Sequence, residues 1–316
     1  MTECEALLEK ECGGKVFLVT SCTSALEIAC ALTLKPGDEV IVPSWGHPAN
    51  VCSIVKAGGV PVFVDVDENL NIDPQKVLEA IGPRTKAIMT VHYAGVLAQD
   101  VTTIAEQYGL YVIEDAAQAI GNWKVKGDFG CLSFHQTKNV QCGEGGALVV
   151  NNLAFLEKAE SLIYWGTDKA RFNRGEIQSW RFNEIGSSYV LSRYAAAHLY
   201  SELERLEEIT RQRRNIWSVY ESCLGGRNIG NGHLYWFEAN NRDEILESAR
   251  RHGIKATSHF DALHMTLPGR KYGRVGGPIN RATRAWQRLV KLNTGVSEEE
   301  AIKTCTTLFP ERTLYA

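Results

Sequence analysis

The amino-acid sequence predicts an α/β fold, in which helices cover both faces of a mostly parallel sheet and a smaller α+β unit follows. Short apolar runs rich in β-branched residues alternate with helical patterns through the first half of the chain. These runs are apolar throughout instead of alternating with polar residues, which is typical of strands buried on both faces. Beyond them the chain changes to long, charged helical patterns, which indicates a second unit.

The predicted strands of the first unit share this continuous apolar character. They are Lys15–Thr20, Glu39–Val42, Val60–Val66, Lys86–His92, Leu110–Asp115, Cys131–Phe134 and Ala147–Val150. Helical patterns separate several of them, at Thr23–Leu34, from Asp73 onward and at Val101–Gly109. Pro74 is compatible with the first turn of the second of these helices.

A boundary between two domains is predicted near residues 210–230. Ser192 to Leu224 has a mostly helical pattern, and Gly225–Gly232 is the Gly-rich run that resembles a linker. A predicted strand (His233–Glu238) and helix (Asp243–His252) come after it. We therefore expect a large domain over residues 1–215 and a small C-terminal domain over residues 216–316.

Composition restricts the classes of function. The chain has 316 residues, of which 44% are hydrophobic and 22% charged, an ordinary globular composition. With 34 Lys and Arg against 37 Asp and Glu the net charge is −3, so we expect no nucleic-acid partner. No apolar run approaches the roughly 20 residues that a membrane helix needs, and the first residues do not resemble a signal peptide. These features predict a cytoplasmic protein that does not contact membranes.

Cysteines and histidines give no sign of a metal site. The nine cysteines form no CxxC pair, and their odd number does not fit a disulfide framework, so we expect reduced thiols. The eight histidines lack the spacing of metal ligands. Cys22 has no neighbouring base in the sequence, and we expect it to be structural.

Polar residues follow the predicted strands where those strands end. They are Ser21–Ser24, His47, His92–Tyr93, Asp115–Gln118 and Ser133–Lys138. Ligands of open parallel sheets bind at the carboxyl ends of the strands, so the fold is expected to gather these residues at one edge.

Three of these groups have a chemistry of their own. Free amides and hydroxyls in Ser21–Ser24, at the start of a helix, suit an anion, although a simple helix cap is the commoner explanation. Asp115 ends an apolar strand, where a carboxylate needs a positive partner, or else it caps a helix. Lys138 lies between apolar runs that would lower its pKa, unless it is an exposed loop lysine.

Together, these three groups match the requirements of pyridoxal 5′-phosphate (PLP). The cofactor needs its phosphate held, its pyridinium nitrogen paired and its aldehyde bound to a lysine as an imine. No GxxxxGK or GxGxxG motif is present, so neither a nucleoside triphosphate nor a dinucleotide is indicated.

Seven motifs, in order along the chain, resemble those of the DegT/DnrJ/EryC1/StrS aminotransferases. They are SCTSAL (21–26), KPGDEVIVPS (35–44), PVFVDV (61–66), VHYAGV (91–96), EDAAQ (114–118), SFHQTKN (133–139) and GEGGA (143–147). Members of this family are fold-type I PLP enzymes that act on nucleotide-linked keto sugars. The resemblance runs from about residue 2 to 220 and continues weakly to the end.

The resemblance also implies a reaction. The lysine motif SFHQTKN and the segment 165–189 are most similar to the transaminases that make dTDP-4-amino-4,6-dideoxygalactose. It therefore implies transfer of the amino group of L-glutamate to a dTDP-linked 4-keto-6-deoxy sugar, a step of lipopolysaccharide or polysaccharide biosynthesis. The alternatives are amination at C3, another nucleotide sugar, or a non-catalytic protein that binds PLP or a nucleotide sugar.

Residue roles carried over by motif place the chemistry on Lys138 and Asp115. Lys138 would bind the aldehyde of PLP and move protons, and Asp115 would pair with the pyridine nitrogen. Gln118 would lie beside the phenolic oxygen of the cofactor. The amides of Thr23 and Ser24 and the hydroxyl of Ser133 would hold the phosphate.

Two further positions complete this expectation. His47 stands where the family usually has an aromatic residue stacked on the cofactor, and Trp45 is the alternative for that contact. Ser188 matches a position that reaches the phosphate from the partner subunit, which implies a homodimer with shared sites. Relative to the family, the loop from Asp115 to Lys138 is shorter and the chain lacks a segment before its first helix, which implies a compact form of the enzyme.

Overall fold

A computed structural model describes residues 2–225 and 228–311 of the chain. The strands of its main sheet are β1 (Lys15–Val19), β2 (Glu39–Pro43), β3 (Val60–Val64), β4 (Thr85–Val91), β5 (Tyr111–Asp115), β6 (Phe129–Ser133), β7 (Gly146–Val150) and β10 (Arg274–Val275). They lie in the order β1-β7-β6-β5-β4-β2-β3-β10. Strand β7 runs antiparallel to both neighbours, and the other pairs are parallel. The predicted α/β class is therefore confirmed.

Helices connect and flank these strands. They are α1 (Thr2–Cys12), α2 (Cys22–Thr33), α3 (Pro48–Lys56), α4 (Pro74–Ala80), α5 (Thr102–Tyr108), α6 (Leu156–Ile163), α7 (Lys169–Asn173), α8 (Arg193–Leu203), α9 (Leu206–Leu224), α10 (Arg242–Arg251), α11 (Leu267–Tyr272), α12 (Arg281–Arg288) and α13 (Glu298–Leu308). The helical pattern predicted over Ser192–Leu224 is thus two helices, because the chain turns at Glu204 and Arg205.

Successive strand residues pack on opposite faces of the sheet, as the two-residue period of a strand requires. In β4, Ala87 and Met89 join the core under α2, α3 and α6, whereas Ile88 packs with α4 and α5 on the other face. At the β1 end of the sheet, α1 and α8 cover that second face. Both faces are therefore buried, which explains why the strands are apolar without alternation.

The C-terminal part forms a smaller α+β unit around a second sheet. Its strands are β8 (Leu234–Glu238), β9 (Ala256–Thr257) and β11 (Leu289–Asn293), in the antiparallel order β8-β11-β9. Val290 and Leu292 of β11 pack into a core with Trp217 and Tyr220 of α9 and Cys305 of α13.

The two units are joined by more than the chain connection. The predicted boundary at 215/216 falls inside α9, whose Ile209 packs on the large sheet and whose Ile216 packs on the small one. Strand β10, from the predicted small domain, pairs with β3 at the edge of the large sheet. The division at residue 215 stays our proposal.

A carboxylate at the end of β3 holds a helix of the second unit. Asp65 accepts hydrogen bonds from the backbone amides of Asn280, Arg281 and Ala282 at 2.8–2.9 Å, at the N-terminus of α12. The first amides of a helix lack partners within the helix, and the positive end of the helix dipole favours a negative charge there. Asp65 therefore fixes α12 against the large sheet.

The Gly-rich run 225–232 differs from the predicted linker. Gly226 and Arg227 lie outside the described residues, but Asn231, the last residue but one of the run, is fully buried. Its side-chain amide donates to the carbonyls of Gln118 and Ile120, both at 2.8 Å. The end of the run is therefore fixed to the large domain.

Among the described residues, no helix is both long enough and apolar enough to cross a bilayer.

We predict that Asp65→Ala destabilises the protein by about 3 kcal/mol, since three amides at the start of α12, one of them buried, lose a charged acceptor. Asp73→Ala is the matched control, because Asp73 caps α4 through a single amide and is expected to cost about 1 kcal/mol. Urea unfolding of both variants at equal protein concentration measures the difference. Equal midpoints for the two variants would contradict the role given to Asp65.

Candidate active site

A cavity of about 410 Å³ opens at the edge of the large sheet where the parallel strands end. Residues that follow β1, β2, β5 and β6 line one side of it, and residues of the C-terminal unit line the other. Of the predicted site residues, the structure brings together Thr23, His47, Asp115, Gln118, Ser133 and Lys138. The volume is within the range of small-molecule sites, about 300–1,000 Å³.

The start of α2 forms the first end of the cavity. The Ser21 hydroxyl accepts from the Ser24 amide at 3.1 Å and caps the helix, so the simple cap that the sequence left open is present. Cys22 and Thr23 line the cavity. Within the described residues, neither of their backbone amides has an acceptor. This end therefore presents free amides and hydroxyls, as an anion site does.

Ser24 differs from its expected place. Its amide is bonded to Ser21, and its hydroxyl bonds the hydroxyls of Thr20 at 2.8 Å and Ser21 at 3.0 Å. These contacts place Ser24 behind the cavity wall instead of in it. The expectation that the Ser24 amide holds a ligand stays a prediction, and it requires that amide to exchange its bond with Ser21.

Asp115 ends β5 at the floor of the cavity and is only 5% exposed. One carboxylate oxygen accepts from the Ala117 amide at 3.0 Å, and the other from the Asn50 side-chain amide at 2.7 Å. The Cys22 thiol lies 3.8 Å away, and burial, with Asp115 beside it, raises the pKa of that thiol. Cys22 is therefore held as a neutral thiol, and the free lone pairs of Asp115 can accept a further donor.

Lys138 lies on the hairpin that joins β6 to β7. Backbone hydrogen bonds from Phe134 to Gly145 and from Gln136 to Gly143 close this hairpin, and the Lys138 amide bonds His135. Burial lowers the pKa of Lys138, and the nearby Asp115 carboxylate opposes that shift. The side chain is therefore closer to its neutral amine than a surface lysine is.

The residue after Lys138 fixes the hairpin to the second unit. The Asn139 side chain contacts Nδ1 of His233 at 2.9 Å, and both residues are buried. Burial, with Lys138 close by, lowers the pKa of His233 well below its usual range. His233 is thus a neutral ring that holds the lysine loop without adding a charge.

His47 faces the cavity, but it also has a structural task. Its Nδ1 accepts from the Ala49 amide at 3.1 Å and caps α3. Its ring meets that of Phe260 edge-on, with centroids 6.0 Å apart. Trp45, the alternative for a stacking contact, is fully buried in the core between the two units and is excluded from that role.

Gln118 and Ser133 complete the wall on the large domain. The Gln118 side-chain oxygen accepts from the Ala94 amide at 2.7 Å, and the Ser133 hydroxyl accepts a long bond from the His135 amide at 3.4 Å. Ser188 is exposed and pairs through its backbone with Tyr164, so it is not part of the cavity of its own chain.

Sequence reasoning missed most of the second wall. The residues that it missed lie on the C-terminal unit, with one more on the β6–β7 hairpin: His233, His259, Phe260, Lys291 and Glu144. It also missed Asn50, the partner of Asp115, which has an ordinary helical pattern around it. The motif resemblance weakens after residue 220, so no signal pointed to the C-terminal residues.

The arrangement fits PLP on the chemistry of its donors. Free amides and hydroxyls at the start of α2 suit a phosphate, the buried carboxylate of Asp115 suits a protonated ring nitrogen, and the amine of Lys138 suits an aldehyde. All three open into one cavity. In the described residues, no group of three or more His, Cys, Asp or Glu side chains could hold a metal ion.

The chain is similar to a known protein family and to several solved structures. The model of the DegT/DnrJ/EryC1/StrS aminotransferase family matches residues 5–308. An aminotransferase of this family from Brucella abortus is 27% identical, covering 98% of this chain and 90% of its own, with a TM-score of 0.89. DesV of S. venezuelae (26%, 98% and 88%, TM-score 0.88) and the aminotransferase TlmJ of Streptoalloteichus hindustanus (26%, 98% and 88%, TM-score 0.85) are also similar.

The family match covers nearly the whole described chain and confirms the enzyme class and the cofactor that the motifs predicted. The mainly parallel sheet with helices on both faces is the fold of the fold-type I PLP aminotransferases. The chain belongs to the DegT/DnrJ/EryC1/StrS family of PLP-dependent aminotransferases.

Proposed function

We propose that the protein transfers the amino group of L-glutamate to the 4-keto group of a dTDP-linked 4-keto-6-deoxy sugar. The observation that carries the proposal is Lys138, an amine with a lowered pKa, opening into one cavity with the buried carboxylate of Asp115. The choice of sugar and nucleotide rests on the resemblance of SFHQTKN and of segment 165–189.

PLP, when bound, supplies an aldehyde that takes up the donor's amino group and a ring that acts as an electron sink. Lys138 would be the covalent attachment point. When it is not attached, its free amine would accept and return the proton that moves during transamination. Desolvation matters here, because a fully protonated lysine can do neither.

Asp115 acts as the partner of the ring nitrogen. Its carboxylate is fixed from two sides by Asn50 and by the Ala117 amide, so its direction does not change when a ligand arrives. A fixed negative charge keeps the ring nitrogen protonated, and such preorganised charges contribute strongly to catalysis.

The remaining cavity residues orient the cofactor. Thr23, with the amides at the start of α2, and the Ser133 hydroxyl would hold the phosphate, and Gln118 would lie beside the phenolic oxygen. His47 would stack on the ring, and its cap of α3 fixes the imidazole for that contact. The Ser24 amide would join them only by giving up its bond to Ser21.

We also propose that the enzyme is a homodimer. Large apolar side chains remain exposed in one segment before Ser188, with Ile185 83% exposed and Phe182 65% exposed. We name this segment, Trp165 to Ile185, the apolar surface segment. Exposed apolar patches of this kind mark protein interfaces, and a second copy of the chain would bring its Ser188 to the phosphate. Among the described residues no disulfide forms, which favours a reducing, cytoplasmic location.

The reaction itself is the first test. We expect the purified protein to bind PLP, react with L-glutamate and convert dTDP-4-keto-6-deoxyglucose into an amino sugar detected by mass spectrometry. Borohydride reduction followed by peptide mapping should place the cofactor on Lys138, and Lys138→Ala should lose both the covalent link and the product.

Four results would contradict parts of this proposal. Label on another lysine would rule out Lys138 as the attachment point, whereas absence of any reaction with L-glutamate would favour a binding protein without catalysis. Product formed only from UDP- or GDP-sugars would show that the proposed nucleotide is wrong. Amination at C3 would show that the proposed position is wrong.

The two tasks of His47 can be separated by a matched pair of variants. His47→Phe keeps an aromatic ring but loses the helix cap, so we expect nearly normal affinity for PLP and a stability loss of about 1 kcal/mol. His47→Asn keeps a cap but loses the ring, so affinity should fall by about 2- to 10-fold with little loss of stability. PLP titration and thermal unfolding measure the two effects. If Phe weakens PLP binding as much as Asn does, stacking is not the contribution of His47.

The dimer is tested on the apolar surface segment. Phe182→Asp and Ile185→Asp should weaken self-association by about a hundredfold or more, because an unpaired charge would be buried. Leu267→Asp is the control, since Leu267 is 81% exposed but lies on α11 in another part of the molecule. Light scattering across a concentration series gives the result, and a dimer unaffected by both variants would place the interface elsewhere.

A further inference from the structure

The C-terminal unit contributes one cationic side chain to the cavity, Lys291. It lies on β11, the central strand of the small sheet, next to Trp236 of β8 and Thr257 of β9. Its chain neighbours Val290 and Leu292 face the small core against α9 and α13. Alternation along the strand therefore turns Lys291 to the opposite side, towards the large domain.

The residue that precedes Lys291 on the same side of β11 is apolar. Leu289, two residues earlier, is fully buried in a cluster with Trp45 and Tyr93 of the large domain. A lysine at the next position on this side of the strand costs desolvation free energy unless an anion compensates its charge. Strand β11 thus places the ammonium group of Lys291 in the cavity, at a position where an apolar side chain would otherwise pack.

The charge of Lys291 is not balanced inside the protein. Among the described residues, no carboxylate forms an ion pair with it. Burial lowers the pKa of Lys291, and the positive charge of Lys138 lowers it further. The nearby rings of His233 and His259 are themselves neutral, since burial lowers the pKa of both well below the usual range. A bound anion would supply the missing partner.

The position of Lys138 limits which anion this is. In an amino-acid donor, the α-carboxylate is attached to the same carbon as the reacting nitrogen, so it must lie in the cavity that Lys138 serves. The diphosphate of a nucleotide sugar is attached at C1, across the sugar ring from a reacting C4. It would therefore lie farther from Lys138 than the carboxylate does.

We propose that Lys291 binds the α-carboxylate of the amino donor and so selects α-amino acids as donors. This inference rests on the proposed function, because it requires an amino-acid half-reaction. It gives the small unit a defined part in that reaction: Lys291 positions the donor over the site that Lys138 and Asp115 build on the large domain.

The test uses the holoenzyme with two donors that differ only in the carboxylate concerned. L-Glutamate has an α-carboxylate, whereas 4-aminobutyrate lacks it and retains the distal one. Lys291→Met should weaken the apparent affinity for L-glutamate by about 10- to 100-fold, the loss expected for one charge-assisted hydrogen bond. It should leave 4-aminobutyrate unchanged. Lys291→Arg keeps the charge and should recover much of the loss.

A second readout is independent of turnover. Calorimetric titration with glutarate, a dicarboxylate that cannot react, should give weaker binding to Lys291→Met than to the wild-type enzyme. Lys255→Met is the control, because Lys255 belongs to the same unit but is exposed and outside the cavity. It removes the same charge from the protein and should change neither measurement.

The outcomes separate this inference from the proposed function. If wild-type enzyme reacts with L-glutamate and Lys291→Met does so with equal affinity, the inference is overturned and the function stands. If Lys291→Met weakens only the nucleotide sugar, the anion is the diphosphate, which also overturns it. If the wild-type enzyme reacts with no amino acid at all, the proposed function is wrong and the inference about Lys291 is overturned with it.

Discussion

Burial of a carboxylate at the end of the central strand imposes the main constraint on this site. Asp115 is almost fully buried, and an ionised carboxylate at such a position must be compensated by hydrogen-bond donors from the protein. Asn50 of α3 and the amide of Ala117 supply two, and the Cys22 thiol of α2 lies next to them. The residues around Asn50, Cys22 and Ala117 must therefore be packed correctly before the buried carboxylate is compensated, so the fold and the site form together.

The second wall depends on how the C-terminal unit is held. Asp65 fixes α12, β10 extends the large sheet, and Asn231 bonds two carbonyls of the loop after β5. None of these contacts lies in the cavity, yet they determine where His233, His259 and Lys291 stand. A site built by two units gains chemistry that neither has alone, and its geometry then depends on contacts remote from the chemistry.

The sequence predicted the parts of the site that follow apolar strands. Strand ends can be located from hydrophobic runs, and the topology of a parallel sheet brings these ends to one edge. This is why the sequence could predict Asp115, Lys138, Ser133 and Thr23 as site residues. Ser24 could not be judged in this way, since whether its amide is free depends on a hydrogen bond to Ser21. The cap formed by His47 likewise depends on a side-chain orientation that sequence patterns do not determine.

Other features were hidden for different physical reasons. Strand β7 is buried on both faces, and a buried strand is apolar whether it runs parallel or antiparallel to its neighbours. Its antiparallel direction could therefore not be predicted from the sequence. Lys291 alternates with Val290 and Leu292, a pattern that normally indicates a solvent-facing residue, and only the docking of the two units makes that face internal. The residues before Asn231 are rich in glycine, and glycines required by close packing look the same as those of a flexible linker.

The reversed direction of β7 has a consequence for how the reactive amine is delivered. Two parallel strands need a long crossover between them, but an antiparallel pair is joined by a hairpin. Lys138 is therefore carried on a short tether with its own ladder of backbone hydrogen bonds, and Asn139 fixes the tether beside it. Such a tether restricts the volume that the amine can sample. The effective concentration of the amine at the reacting carbon rises accordingly, and the entropy that ordering would cost at each turnover has already been lost when the chain folds.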